Sequence, residues 1–190
     1  MNSCSIFCFA ETNILSDPKD NSIRKSNTLD NWESVFKLTS HGLCLCYNTE
    51  QIQLLKIFDT SESVELLACL VQYNDIEFII AIVYRKPGAL GTFIFDLHKE
   101  ISKLPIKRRT IILGDFNMDQ LDKENVIKIN DFASDFQAPF KQLCKFSTHR
   151  DGGILDLVLD NKKHIDDNNP NFIKWLATAF SDHFIIYHQL

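Results

Sequence analysis

Short apolar runs separated by polar turns dominate the chain, and most of them have the length of β-strands. Residues 12–34 are polar and predict a long loop with room for one helical turn. The strands between 42 and 85 are expected to form one meander, with Asn74-Asp75 as a turn. The pattern predicts strands near 5–10, 42–48, 52–58, 63–73, 77–85, 109–114, 142–147, 154–159, 172–179 and 184–188.

Two segments have the periodicity of helices rather than strands. The first is 91–104, where apolar residues recur at helical intervals and Pro105 follows the last turn. The second lies near 124–137. Strands with few interposed helices predict an α/β sandwich of two sheets packed face to face, with helices outside. A chain of 190 residues is expected to form a single domain over 1–190.

Composition narrows the classes of function. The net charge of −5 is unfavourable for binding nucleic acid through a broad positive field, although acidic residues that hold a divalent cation reverse the local charge. The apolar runs are too short to span a membrane, and no secretory signal opens the chain. The six cysteines lack the C-x-x-C spacing of zinc sites and indicate reduced thiols. We therefore expect an intracellular protein without membrane association, for which the nucleus is a compatible location.

The strand in TIILGDFNMD (110–119) ends in an acid and an amide. Side chains alternate along a strand, so Asp115 and Asn117 share one side while Phe116 points into the protein. Burial of an unpaired carboxylate costs several kcal/mol, which favours a partner or a metal ion. The same two residue types are common in turns, so this stretch alone leaves both interpretations open.

Polar residues also stand at the ends of other predicted strands. These are Glu11, Tyr84, Asp156, Asp182 and His183. Tyr84 is also compatible with a strand-end aromatic whose hydroxyl meets water, and Ser181-Asp182 with a loop that caps its own backbone. Acids, an amide, a histidine and a tyrosine at strand ends suit metal-assisted phosphoryl chemistry, in which carboxylates hold Mg²⁺ and an imidazolium balances developing charge.

Five ordered motifs carry a resemblance to a known superfamily. AET, VYRKP, ILGDFN, GGILDLVL and SDHF resemble the endonuclease/exonuclease/phosphatase superfamily, at similar separations. Within it, FAETNIL and STHRDGGILDLVL are most similar to the AP-endonuclease-like domain of LINE-type retrotransposons. The resemblance covers essentially the whole chain and implies a Mg²⁺-dependent enzyme, with Mn²⁺ as a substitute.

The resemblance implies two metal-binding acids and a water-activating pair. Glu11 matches the metal-binding glutamate, and Asp182 matches an active-site acid near the metal. Asp115 matches the aspartate that activates the attacking water, and Asn117 the amide that orients the water and the phosphate.

The remaining implied roles concern the phosphate and the catalytic histidine. Tyr84 and Thr148 match phosphate-contacting residues, and Ser181 is expected to help bind the substrate. Asp156 matches the aspartate paired with the histidine, His183. Such a pair keeps one imidazole tautomer and raises its basicity. No chemistry is assigned to the other histidines, which are His41, His98, His149, His164 and His188.

The chain departs from the resembled pattern at its start. The relatives have a strand bearing a catalytic Asn, followed by a helix, before the strand that ends in the glutamate. Here that strand begins almost at Met1, so the first strand–helix unit is expected to be missing and the chain to be weakly stable and close to inactive. A reverse transcriptase or another domain is expected to accompany it in the parent element.

Three hypotheses follow. The first is a retrotransposon-derived endonuclease that nicks DNA. The second is a phosphatase or phosphodiesterase that acts on a small phosphoester. The third is an inactive remnant that serves as a binding module.

Overall fold

The structure is a computed structural model that describes residues 6–10, 12, 23–162, 173–176, 181–183 and 185–188. Its two helices are α1 (Phe93–Ile101) and α2 (Lys123–Ser134). Its strands are β1 (Ile6–Ala10), β2 (Ile23–Leu29), β3 (Trp32–Lys37), β4 (Leu43–Asn48), β5 (Ile52–Phe58), β6 (Glu65–Tyr73), β7 (Ile76–Tyr84), β8 (Arg109–Asp115), β9 (Lys141–Gln142), β10 (Asp156–Asp160), β11 (Ile173–Leu176) and β12 (Ile185–His188).

The strands form a four-stranded sheet in the order β1-β4-β3-β2 and a six-stranded sheet in the order β5-β6-β7-β8-β10-β9, while β11 pairs with β12. Neighbouring described strands are antiparallel except β7 and β8, which are parallel. A parallel pair needs a crossover, and α1 provides it.

The inner faces of the two large sheets pack against each other. Val35, Leu43 and Leu45 of the four-stranded sheet form one apolar cluster with residues of the six-stranded sheet such as Leu67 and Ile82. The outer face of the six-stranded sheet packs against both helices, through residues that include Ile79, Val83, Leu97, Ile101, Ile129 and Phe132. This arrangement confirms the predicted α/β sandwich, with the helices outside one sheet.

Two expectations about the strands are wrong. Residues 12–34 were expected to form a loop, but β2 occupies part of this range and pairs with β3 across a turn in which Asn31 has a φ of 64°. A polar edge strand lacks the apolar alternation that sequence patterns detect. The expected meander is also divided, because β4 pairs with β1 and β3 whereas β5 pairs with β6 in the other sheet.

The strand expected at 142–147 is shorter than its apolar pattern suggests. Only Lys141–Gln142 pairs with β10. The Gln142 side chain then bonds the backbone N–H and C=O of Cys144, at 2.9 and 2.8 Å, in place of a partner strand. A side chain that satisfies the backbone locally ends the ladder.

No helix among the described residues is long and apolar enough to cross a membrane. The described cysteines, Cys8, Cys44, Cys46, Cys69 and Cys144, are free thiols.

Candidate active site

Four polar side chains lie in register at one end of the six-stranded sheet. Glu65 of β6 is paired with Tyr84 of β7, Tyr84 with Asp115 of β8, and Asp115 with Asp156 of β10. They share the inner face of the sheet, because the residues two positions away on each strand pack between the sheets: Leu67, Ile82, Leu113 and Val158. We call these four residues the polar row.

Asp115 and Asn117 form a closed hydrogen-bonded turn at the end of β8. The Asn117 backbone N–H donates to Asp115 Oδ1 at 2.8 Å, and its side-chain Nδ2 donates to Oδ2 at 2.8 Å. Asp115 is only 5% exposed. The stretch is therefore a turn and is also compatible with a functional site, because the turn holds the Asp115 carboxylate at the end of the strand.

Arg85 locks this turn to the end of β7. Its backbone N–H donates to Asp115 O at 2.9 Å, and its Nη1 donates to Asn117 O at 2.9 Å. Asn117 Nδ2 in turn donates to Arg85 O at 2.7 Å. The Asn117 amide therefore bridges two neighbouring strands, and this bridge explains why it tolerates a φ of 45°.

Local sequence around Asp115 allows this geometry. Gly114 has a φ of 139°, and a Cβ there would lie 1.9 Å from the carbonyl oxygen of Val83. Phe116 is fully buried and meets the Phe93 ring edge-on, with centroids 6.4 Å apart. Glycine therefore permits the close approach of β7 and β8, while Phe116 anchors the turn in the core.

A second pair lies beside Asp115. His183 Nδ1 is 2.8 Å from Asp156 Oδ2, and His183 Nε2 is 3.9 Å from Asp115 Oδ2. The hydrogen bond to Asp156 raises the pKa of His183 to about 9, against the opposing effect of burial and with help from the charges of Asp156, Asp115 and Asp182. The imidazole is therefore cationic at neutral pH, with Nε2 directed towards Asp115.

Thr148 holds the start of β10 in place. Its Oγ1 accepts hydrogen bonds from the backbone N–H groups of Leu155 and Asp156, at 2.9 and 3.0 Å. Thr148 is fully buried. Its observed contacts position the backbone of Asp156.

The chain that carries His183 is joined to the loop around His149. The two histidines form a β-bridge, and their rings lie edge to face with centroids 5.0 Å apart. His149 Nε2 is 3.3 Å from Asp182 Oδ2. Ser181 Oγ accepts a hydrogen bond from the backbone N–H of His183 at 3.0 Å.

The similarity of this chain to known proteins lies in its fold and not in its sequence. No family model matches the chain, and no curated protein matches its sequence. Solved structures do match, however. An endonuclease/exonuclease/phosphatase family protein from Leptotrichia buccalis superposes with a TM-score of 0.58 at 13% identity, over 96% of this chain and 85% of that one. The chain has the endonuclease/exonuclease/phosphatase fold.

Two further structures share this fold. The cytolethal distending toxin from Actinobacillus actinomycetemcomitans matches with a TM-score of 0.58 at 14% identity, over 97% of this chain and 85% of that chain. A mannosyl-6-phosphatase from Bacteroides thetaiotaomicron matches with a TM-score of 0.60 at 11% identity, over 83% of this chain and 76% of that one.

On this fold, most of the site residues expected from the sequence lie at one end of the sandwich. Asp115, Asn117, Asp156 and His183 are joined by direct contacts, and Asp182 lies beside His149. Tyr84 is the neighbour of Asp115 but is 2% exposed. Substrate contact by Tyr84, Thr148 and Ser181 stays a prediction. Glu11 lies outside the described residues.

Sequence reasoning missed two histidines near this end. His149 contacts both His183 and Asp182, and its signal was its place in the STHRDGG stretch that carries the resemblance. His41 lies on the Tyr84 ring, with centroids 4.7 Å apart, and bonds Glu65. No sequence pattern connects His41 with the strands that it contacts.

The described residues fit a divalent cation. Ligand atoms of Asp115, Asp156 and His183 lie within 4.8 Å of one another, and so do those of His149, Asp182 and His183. Mg²⁺ takes oxygen ligands and keeps several waters, and Mn²⁺ also accepts imidazole. Carboxylate oxygens from Asp115, Asp156 and Asp182 suit either ion.

The His183–Asp156 pair predicts a pH-dependent stability in metal-free buffer. The folded-state pKa of His183 is raised from 6.5 to about 9, so the pair stabilises the fold fully below pH 6.5 and this contribution is lost as the pH rises to about 9. Its full size is on the order of 2 to 3 kcal/mol. Urea unfolding of the wild type and Asp156→Asn at about pH 6 and about pH 10 measures it.

The difference in unfolding free energy between the two proteins is expected to shrink at the higher pH. Asp131→Asn, at an exposed position of α2, serves as the control and should show no such change. A gap between wild type and Asp156→Asn that is the same at both pH values would contradict the assignment.

Proposed function

We propose that this chain is a metal-dependent phosphodiester hydrolase that nicks DNA. The observation that carries the proposal is the convergence of Asp115, Asn117, Asp156 and His183 at the end of one sheet, through bonds of 2.8 Å and one contact of 3.9 Å. A carboxylate, an amide and a cationic imidazole around one point supply a base, an orienting group and a charge stabiliser.

Asp115 is the proposed base. Asn117 bonds both of its oxygens and holds the carboxylate beside His183, where the proposed water lies. A water held there delivers a proton to Asp115 while its oxygen bonds to phosphorus. The P–O bond to one sugar breaks, and the departing sugar oxygen takes up a proton from solvent. Asn117 keeps the carboxylate in a single orientation, so the attack direction is set before the substrate arrives.

His183 is the proposed stabiliser of the phosphoryl charge. Asp156 bonds Nδ1, which leaves the Nε2–H end directed to the space beside Asp115. A donor that is already charged and oriented stabilises the pentacovalent state without reorganisation. Thr148 supports this step indirectly, because its hydroxyl fixes the backbone of Asp156.

We propose Mg²⁺ as the cofactor, with Mn²⁺ as a substitute. A bound divalent ion supplies Lewis-acid polarisation of the phosphoryl oxygens. Asp115, Asp156 and Asp182 are the described acids that would hold it, and the resemblance adds Glu11 to the set.

DNA as the substrate and a LINE-type retrotransposon as the source are the finer parts of the proposal. Both are supported by the motifs FAETNIL and STHRDGGILDLVL. The competing candidate is a phosphatase, and the structural similarity to a mannosyl-6-phosphatase favours testing it alongside.

The test of this function is nicking of supercoiled plasmid in Mg²⁺ or Mn²⁺, beside hydrolysis of a phosphomonoester. We expect conversion to open circles with either ion. EDTA should abolish it, because the negative carboxylates repel the phosphate when no divalent cation offsets their charge. Far-UV circular dichroism in EDTA shows whether the fold persists. Nicking that survives EDTA, or phosphomonoester hydrolysis without nicking, would overturn the proposal.

A further inference from the structure

A second histidine–carboxylate pair lies at the other end of the polar row. His41 Nδ1 is 2.7 Å from Glu65 Oε1, close to the 2.8 Å between His183 Nδ1 and Asp156 Oδ2. Glu65 begins β6, two strands from Asp115, and Asp156 lies one strand beyond Asp115 on the opposite side. The two pairs therefore flank Asp115 along one line, which runs across the strands.

Glu65 holds the loop that carries His41. Its carboxylate accepts hydrogen bonds from Ser40 Oγ at 2.7 Å and from Thr39 Oγ1, in addition to His41. Burial opposes ionisation of Glu65, but the bonds from Thr39, His41 and Ser40 outweigh it and hold its pKa below the usual value. Thr39 Oγ1 also accepts the Gly42 N–H at 2.9 Å, which closes the loop.

This anchoring leaves one end of the His41 ring unused. The side chain is 29% exposed, and among the described residues no group bonds its Nε2 atom. The ring lies against Tyr84, the direct neighbour of Asp115, with an angle of 46° between the ring planes. An imidazole that is oriented at Nδ1 and open at Nε2 can meet a further group there, and it donates to that group when both ring nitrogens carry hydrogen.

The spacing of the row indicates what that acceptor is. Neighbouring strands lie about 4.8 Å apart, so Glu65 is about 10 Å from Asp115 along the row, and the His41 ring contacts both Glu65 and the intervening Tyr84. A small phosphoester bound at Asp115 and His183 does not extend that far. A nucleic acid strand carries a phosphate at each nucleotide, so a strand that follows the row brings a further phosphate towards His41.

We propose that His41, held by Glu65, binds a phosphate next to the scissile one and makes the site selective for a polynucleotide over small phosphoesters. This inference rests on the proposed function. Glu65 at Nδ1 and a phosphate oxygen at Nε2 would each accept a hydrogen bond from the ring when both of its nitrogens carry hydrogen. His41 also offers a favourable contact to DNA at the end of an otherwise acidic row.

Two substitutions separate substrate binding from loop anchoring. His41→Asn retains a donor at the position of Nδ1 and can still bond Glu65, but it lacks the Nε2 end. His41→Gln places its amide nearer the Nε2 position. Both are assayed with the 190-residue chain in Mg²⁺, on duplex DNA and on the small diester bis(4-nitrophenyl) phosphate.

For His41→Asn we expect a KM for DNA that is about tenfold higher, since a hydrogen bond to a charged group is lost. Its kcat/KM for the small diester and its melting temperature should stay at the wild-type values. His41→Gln should recover part of the DNA affinity. Equal losses on both substrates, or no loss on either, would overturn the inference.

Binding of a fluorescent duplex in EDTA separates this inference from the proposed function. Removal of one phosphate contact should lower the slope of log affinity against log salt by about 0.9. In one outcome the wild type hydrolyses neither substrate, while His41→Asn still binds the duplex more weakly and with a smaller salt slope. That result would support the phosphate site and refute the nuclease function. Unchanged binding and slope would refute the site whatever the activity.

Discussion

Asp115→Asn is expected to lower the rate of DNA nicking at least about 100-fold, because removal of one positioned base typically costs that much. The asparagine keeps an acceptor oxygen for the Asn117 backbone N–H, whereas its amide cannot take a proton from water. Asp115→Ala should lose as much activity and also stability, because it leaves two donors of the partly buried Asn117 without their acceptor. Single-turnover nicking and urea unfolding of both variants measure the two effects separately.

Asp131→Asn makes the same chemical change on the exposed face of α2 and serves as the matched control. It should nick at the wild-type rate. If Asp115→Asn were folded and retained nearly normal nicking, Asp115 would be a turn residue only, and the base would have to be sought elsewhere among the acids of the row.

Gly114→Ala should lower the free energy of unfolding far more than Gly91→Ala, which adds the same methyl group. The new Cβ would lie 1.9 Å from the Val83 carbonyl oxygen, in backbone with a φ of 139° that alanine rarely adopts. Backbone strain and overpacking each cost about 1 to 3 kcal/mol, so the sum is on the order of 4 kcal/mol. Chemical denaturation measures this loss directly.

Gly91→Ala offers the control, because a Cβ there meets nothing within 4 Å and the φ is not positive. That variant should keep the wild-type stability. Gly114→Ala should also separate Tyr84 from Asp115, so any protein that remains folded is expected to be inactive. A Gly114→Ala protein with unchanged denaturation midpoint and activity would show that β7 and β8 do not approach as described.

The success of the sequence predictions depended on how each strand is buried. Strands inside the sandwich, such as β7, are nearly continuous apolar runs and were recognised at once. β3 was missed because it carries Ser34 and Lys37 at buried positions, where Lys37 Nζ bonds Thr60. A buried polar residue whose hydrogen-bond partner is distant in sequence interrupts the apolar pattern that predicts a strand. The assignment of β4 and β5 to different sheets likewise has no counterpart in the local sequence.

The residues of the candidate site were also predicted from the sequence only in part. Asp115 and Asn117 were found from strand alternation, and Asp156 and His183 from motifs that continue a strand pattern. The contact of His41 with Glu65 joins residues 24 positions apart, because the loop at 39–42 meets the start of β6, and no residue spacing encodes this meeting. The same holds for the bridge from Asn117 to Arg85.

The residues of the polar row lie on paired strands, whereas the residues around them lie on loops. Each member belongs to a strand whose ladder fixes it, whereas the neighbouring loops at 39–42, 85–92 and 147–155 border it and contribute anchoring residues such as Arg85 and Thr148. Loops tolerate insertion and substitution far better than paired strands. Descendants of this chain could therefore acquire new target preferences by remodelling those loops around anchors such as Arg85 and Thr148, with the proposed hydrolysis retained. In directed evolution, a library confined to the three loops that keeps these anchors would explore specificity at little risk to the proposed turnover.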